Sequence, residues 1–166
     1  MRTKDDETQH DRVVRILSQL ICDDVKTYTP DEVKAQKKLY RFGPAIGLYM
    51  PDVHAPKKGR KDKVDIYEVW CGETREKAYF DIIRALMFPR TGYVAVVAAY
   101  NPDYQWSADD VWKIKRTLKQ LLAKSYQEKL DQVLVSGCVC ELTKEDLEKN
   151  DAHIREKLSI SLNLPY

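Results

Sequence analysis

No apolar run in this chain approaches the ~20 residues that a bilayer-spanning helix needs. Its start, Met1-Arg2-Thr3-Lys4-Asp5-Asp6, carries no apolar segment of the signal-peptide kind. The expectation is a cytoplasmic protein with no membrane partner. Net charge is also small: 28 Lys and Arg against 26 Asp and Glu leave +2. That excludes a histone-like polycation and leaves any nucleic-acid contact to a local patch. Cysteine is sparse, and Cys22, Cys71, Cys138 and Cys140 contain no Cys-x-x-Cys pair. The spacing does not favour a zinc or iron-sulfur site, and small buried hydrophobes is the expected role. In a strand, Cys138 and Cys140 would point to the same side. Internal repeats and low-complexity linkers are missing too.

What is present is 166 residues with 43% hydrophobic content, enough for one ordinary core and one domain spanning 1–166. Val13, Leu17, Leu20 and Ile21 fall at helical spacing and predict an amphipathic helix over 11–22. Thr29-Pro30-Asp31-Glu32 has the cap, proline and acid of a short second helix. Residues 39–50 turn apolar and aromatic, broken by Gly43-Pro44 and Gly47, which suits a bent strand pair. Two strand-like segments, 50–53 and 64–70, flank a basic hairpin tip at 57–63. A helix follows over 74–87, with Ala78, Ile82, Ala85 and Leu86 on one face, stopped by Pro89 and Gly92. Residues 93–98 read as a buried strand after a parallel crossover. Ser107 with Asp110 resembles a capping box opening a long helix to about 130, residues 132–142 return as a strand, and Thr143 with Asp146 caps a last helix. The sum is an α/β protein with a mixed central sheet flanked by helices.

Two acids carry the functional signal. Asp52 closes one strand and Glu68 lies in the next, Val64-Asp65-Ile66-Tyr67-Glu68-Val69-Trp70. Carboxylates on neighbouring strand ends can hold one divalent metal. Mg²⁺ prefers such ligands and keeps several waters, and a metal-bound water is suited to attack on phosphodiesters. Glu68 in particular needs a cation or donors, because an unpaired buried charge is expensive. An ion pair with Lys77 or Arg84 would serve equally. Lys77, Asp81 and Arg84 share a helix face at i, i+4, i+7 and read as a solvated salt-bridge ladder as readily as a catalytic group. Glu7, Asp11, Asp65 and Glu73 are further acids that could complete a site, and His54 would face the same way as Asp52. Lys57, Lys58, Arg60, Lys61 and Lys63, on the loop joining the two strands, are the expected phosphate contacts, giving affinity without sequence information.

Over residues 6–100 the order of elements and the two acids resemble the PD-(D/E)XK nuclease superfamily, the restriction-endonuclease-like fold that includes archaeal Holliday-junction resolvases. Pro51-Asp52 matches its first motif and Glu68-Val69-Trp70 its second, with Trp70 where the family has lysine. The resemblance implies an α-β-β-β-α-β core with a C-terminal α-β-α extension. It also implies Asp52 and Glu68 as catalytic metal ligands for Mg²⁺ or Mn²⁺, and hydrolysis of nucleic acid, DNA in the first instance. The family lysine orients or activates the attacking water. Some members carry it on the following helix, which makes Lys77 the substitute. The alternative the resemblance offers is a nuclease-fold protein that has lost catalysis and serves as a nucleic-acid-binding or assembly subunit. An α/β interaction module without metal is a third reading. Enzymes that cut two strands are often two-fold dimers, and the tail 160–166 is the candidate homodimer contact.

Overall fold

The computed structural model describes residues 7–22, 28–43 and 47–164. Helix α1 (Gln9–Cys22) buries Val13, Val14, Ile16, Leu17, Leu20 and Ile21, the stripe that the apolar spacing predicts. The Thr8 hydroxyl accepts from Asp11 N at its start (3.1 Å). Short strands β1 (Lys34–Ala35), β2 (Tyr40–Arg41) and β3 (Leu48–Tyr49) lead into the hairpin β4 (Val53–Lys57) and β5 (Arg60–Trp70). Helix α2 (Arg75–Met87) then crosses to β6 (Thr91–Ala99). Helices α3 (Ala108–Leu121) and α4 (Lys124–Val133) cross to β7 (Val139–Leu142), and α5 (Lys144–Leu147) and α6 (Asp151–Ser161) follow.

The main sheet has the order β1-β4-β5-β6-β7, while β2 and β3 pair separately. β4 is antiparallel to both β1 and β5. β6 is parallel to both β5 and β7, so the sheet is mixed and the expected parallel crossover is there. β6 reads Thr-Gly-Tyr-Val-Ala-Val-Val-Ala-Ala because both of its faces are covered. On one face Ile66, Trp70, Val94 and Val96 pack against α2, α3 and α4. On the other, Tyr67, Val69, Ala95 and Val97 pack against α1 and α6. Arg12 of α1 ties these last two helices together, bonding Asp151 Oδ1 (2.8 Å) and the Leu147 and Lys149 carbonyls (2.8 and 2.7 Å).

Several expectations change. Residues 29–32 form a turn and no helix. Glu32 does cap Thr29 N (2.8 Å), but Val33 is buried and the chain passes directly into β1 at the sheet edge. The long helix ends at Leu121, which is 75% exposed, and restarts at Lys124. Asp131 of α4 folds back to Lys119 (2.7 Å) and Lys115 (3.3 Å) of α3. Residues 124–133 are therefore helix, and the strand expected over 132–142 shrinks to β7. Cys138 precedes that strand in a turn closed by Cys138 N on Val135 O (3.2 Å). It packs in the layer of α2, α3 and α4, whereas Cys140 packs in the layer of α1 and α6. The two point to opposite sides. Both are fully buried, and none of the four cysteines is in a disulfide; burial pushes Cys138 up to about 12 and Cys140 up to about 11. Pro44 of the bent strand pair and the last two residues of the tail lie outside the described residues. No helix among the described residues is long and apolar enough to cross a membrane.

Candidate active site

The C-terminal half of β5 is buried on both faces, and alternation sends Glu68 toward α2 together with Ile66 and Trp70. Across the hairpin, Val53 pairs with Tyr67, so Asp52, one residue earlier, lies level with Glu68. Backbone geometry fixes Asp52 firmly. Its Oδ2 accepts from Val69 N (2.7 Å) and its carbonyl accepts from Gln36 N (2.8 Å). Glu68 is only 2% exposed, and the hydroxyl of Tyr49 in β3 donates to its Oε1 (3.0 Å).

Helix α2 adds two more groups. Thr74 caps it through Lys77 N, which sets the register that aims Lys77 at the end of β5. Lys77 Nζ lies 3.1 Å from Asp81 Oδ2 and 3.9 Å from Glu73 Oε1. Asp81 is buried on the face that α2 turns to the sheet. Glu73 sits in the connection after β5, held by Cys71 N and by Trp106 Nε1 on its carbonyl (3.2 Å). From α1, His10 Nε2 approaches Asp52 Oδ1 (3.2 Å) and Glu73 Oε1 (4.0 Å). Gly72 makes the turn between β5 and Glu73 with φ +85°. A Cβ there would also lie 2.8 Å from the Asn101 side chain, so a larger residue would be strained and would displace Asn101.

Four carboxylates (Asp52, Glu68, Glu73, Asp81) thus share their surroundings with two cations, Lys77 and His10. Burial and the excess negative charge together shift the protonation of these groups. Burial, then the charges of Asp81 and Asp52, hold Glu68 well above the usual carboxylate range. Burial likewise raises Asp81, against the pull of Lys77. Burial opposes the Lys77 charge, but Asp81 and Glu73 outweigh it and keep the ammonium protonated. The bond to Asp52 raises His10 to about 9. Clustered hard carboxylate oxygens with surplus charge are the donor set that a small divalent cation prefers. Among the described residues, however, no group of three or more His, Cys, Asp or Glu side chains is arranged ready to hold a metal ion.

Of the residues singled out in the sequence, Asp52, Glu68, Lys77 and Glu73 come together. Three others that belong to the cluster were not marked as part of it: Asp81, Tyr49 and His10. Asp81 carried a legible signal. With Ala78, Ile82 and Ala85 it forms an i, i+3, i+4, i+7 set, which places it on the buried stripe. At 5% exposed it is no member of a solvated ladder. Tyr49 and His10 carried none, since each reaches the site only through the packing of β3 and α1.

Other candidates lie elsewhere. Glu7 pairs with Arg15 (2.7 Å). Asp11 lies at the rim beside His10 (3.5 Å). His54 is buried between Lys34 and Ile66, and burial, then Lys34 and Lys37, lowers it to about 4. The basic tip does form a tight hairpin, closed by Lys57 opposite Arg60 around Gly59 with φ +76°. It caps the opposite end of the strands, though. Arg60 precedes Glu68 by eight positions on β5, about 26 Å at roughly 3.3 Å per residue. Lys57 is tied to Gly92 O (2.8 Å) and Arg60 to Asp62 (2.8 Å). Lys58, Lys61 and Lys63 share this far end with them, so the tip and the carboxylates do not line one surface patch. Asp65 is likewise on the other face of β5. Trp70, at the family's lysine position, is fully buried and packs on Trp106 (5.0 Å between centroids).

No family model matches the chain, and neither a curated protein nor a solved structure does.

Proposed function

We propose that the chain is a divalent-metal-dependent nuclease of the PD-(D/E)XK, restriction-endonuclease-like type, hydrolysing phosphodiester bonds of DNA. The observation that carries this reading is the convergence of Glu68, Asp52 and Asp81 with Lys77 at the end of β5. Keeping carboxylates together in a buried place is destabilising unless a cation compensates. The antiparallel β4-β5 hairpin followed by α2 and the parallel strand β6 also agrees with the element order of that fold.

Asp52 and Glu68 would hold the ion, Mg²⁺ or Mn²⁺, which when bound supplies an activated water for attack at phosphorus. The chain's own groups do the positioning. Val69 N fixes the Asp52 carboxylate, and the Tyr49 hydroxyl fixes Glu68. Asp81 and Glu73 keep Lys77 protonated and oriented. Lys77 remains half exposed, with 51% of its side chain accessible, so it can meet an incoming phosphate and offset charge that grows on it.

A second reading has its own support. Trp70 has made the motif-lysine position part of the core, as expected of a nuclease-fold protein retained for binding or assembly. The two readings separate on cleavage of linear, branched and single-stranded DNA with Mg²⁺ or Mn²⁺, comparing the native chain with Asp52→Asn, Glu68→Gln and Lys77→Ala. Cutting that both acid variants abolish while staying folded supports the nuclease. Binding without cutting in the native chain supports the second reading.

A further inference from the structure

Between Glu32 and Asp52 the chain carries Lys34, Lys37, Lys38 and Arg41 and no acid. This stretch contains the β2-β3 ribbon, which pairs Tyr40 with Tyr49 and Arg41 with Leu48. Two bonds fasten it to the carboxylate cluster: Gln36 N donates to Asp52 O (2.8 Å), and the Tyr49 hydroxyl donates to Glu68 (3.0 Å). Lys37, Lys38 and Arg41 are exposed, and among the described residues none of them has an acid partner. Their charge is therefore available to an anionic partner. The hairpin tip differs, since Asp62 pairs with Arg60 there (2.8 Å).

Apolar side chains stand among these cations. Of the seven large apolar side chains exposed among the described residues, three fall in or beside this ribbon, Tyr40, Leu48 and Met50, which makes a patch of what would otherwise be scatter. Tyr49 turns in toward Glu68, so alternation turns Leu48 and Met50 out, with Leu48 opposite Arg41. Leu48 is 40% and Met50 52% exposed. A purely apolar partner would leave the cations unanswered, and a second copy of this acid-free surface would repel the first about a two-fold axis. DNA answers both features, with phosphates for the cations and bases for the apolar side chains. Leucine and methionine beside lysine and arginine are side chains with which minor-groove proteins wedge base steps apart. Unstacking costs free energy, and that cost is least where bases are already unpaired.

We propose that the β2-β3 ribbon is the DNA-gripping element of this protein, with Lys37, Lys38 and Arg41 on phosphates and Leu48 and Met50 against bases, and that it selects duplexes containing unpaired bases. The inference deepens the nuclease reading and rests on it for the choice of DNA as partner. The ribbon adjoins Asp52 and Glu68, so a strand held there passes the carboxylates, which the hairpin tip does not reach.

Fluorescence anisotropy with the full chain in chelator, where no metal-dependent cutting occurs, tests this on a duplex and on the same duplex with a short unpaired bulge, with phosphatidylserine vesicles as an anionic competitor. Expected is at least about tenfold tighter binding of the bulged duplex than of the intact one. Leu48→Ser combined with Met50→Ser should bring the two affinities within about twofold of each other. Arg41→Gln, and Lys37→Ala combined with Lys38→Ala, should weaken binding of both duplexes and lower the slope of log affinity against log salt by about one per cation removed. Lys58→Ala combined with Lys61→Ala in the tip should change neither affinity. All of these side chains are exposed, so the variants should fold, and thermal melts check that they do. The proposal is overturned if the native chain binds neither duplex, if the vesicles compete as well as DNA does, if the bulge brings no gain, or if the ribbon variants bind like the native chain. A chain that binds through the ribbon but never cuts removes the nuclease reading alone. A chain that cuts, and whose ribbon variants bind and cut like native, removes this proposal alone.

Discussion

The Tyr49 hydroxyl donates to Glu68 Oε1 at 3.0 Å in a place where Glu68 is 2% and Tyr49 1% exposed. One hydrogen bond from a neutral group does not offset the burial of a carboxylate among Asp52 and Asp81. The β2-β3 pair, which stands outside the main sheet, brings Tyr49 to this acid. Glu68 is thus held in position at a cost to stability, as its proposed role in holding a metal would require.

Replacing Glu68 with glutamine should therefore stabilise the fold while ending cleavage. The folded-state pKa of Glu68 is raised, so the native chain gains stability as pH falls and Glu68 takes up its proton. The variant's advantage, about 1–3 kcal/mol near pH 7, should shrink as pH approaches the ordinary carboxylate value of 4.5. Thermal melts of both chains between pH 4.5 and 8 in the presence of a chelator read this directly. A glutamine variant that melts lower than native at pH 7 would make Glu68 a structural acid.

Lys77→Ala should lower single-turnover cleavage by about 100-fold or more if its ammonium faces the phosphate in the transition state, with DNA affinity changed only a few-fold. If Lys77 serves only to pair with Asp81 (3.1 Å), melting temperature will fall and cleavage will follow the folded fraction. Measuring both on one sample distinguishes the roles.

Trp70→Lys would put a lysine where the PD-(D/E)XK pattern has one, yet it should destabilise the fold and not raise cleavage. Trp70 is fully buried on Trp106, and exchange for a lysine removes a large apolar side chain and buries a charge. A loss of roughly 3–5 kcal/mol or more is expected from the truncation alone. Denaturant unfolding will show it, and an unchanged midpoint would mean the indole is not part of the core.

Asp146 predicts an acid-dependent loss of stability. His153 Nε2 lies 2.9 Å from its Oδ1, and Lys157 and Thr143 bond its Oδ2. Burial alone would raise it, but these bonds hold the carboxyl well below its ordinary value of 3.8. A depressed carboxylate contributes fully above that value and loses its contribution as pH falls below it. Asp146→Asn should melt lower than native at pH 6 to 7, and the gap should close below about pH 4. A gap that stays constant to pH 3 would show that the capping geometry, and not the charge, is what counts.

The amino-acid order by itself determined α1, α2, the hairpin around Gly59 and the continuous apolar β6. Each rests on interactions between neighbours in sequence: a 3.6-residue stripe, a turn that tolerates positive φ, alternation or its absence. The capping boxes at Ser107 and Thr143 were legible for the same reason. Asp52 and Glu68 could be paired because a hairpin brings nearby segments into register. Where the sequence misled, the deciding contact was remote. Helix continues past Leu122 only as a second segment, because Asp131 must fold back onto Lys115 and Lys119. The basic tip and the acids look adjacent along the chain, yet an 11-residue strand separates them by most of its length. Tertiary structure alone carried Tyr49 and His10 to the carboxylates and, among the described residues, left Asp65 Oδ1 without a donor. Those outcomes depend on how helices dock on the two faces of the sheet, a matter of long-range burial that no local pattern encodes.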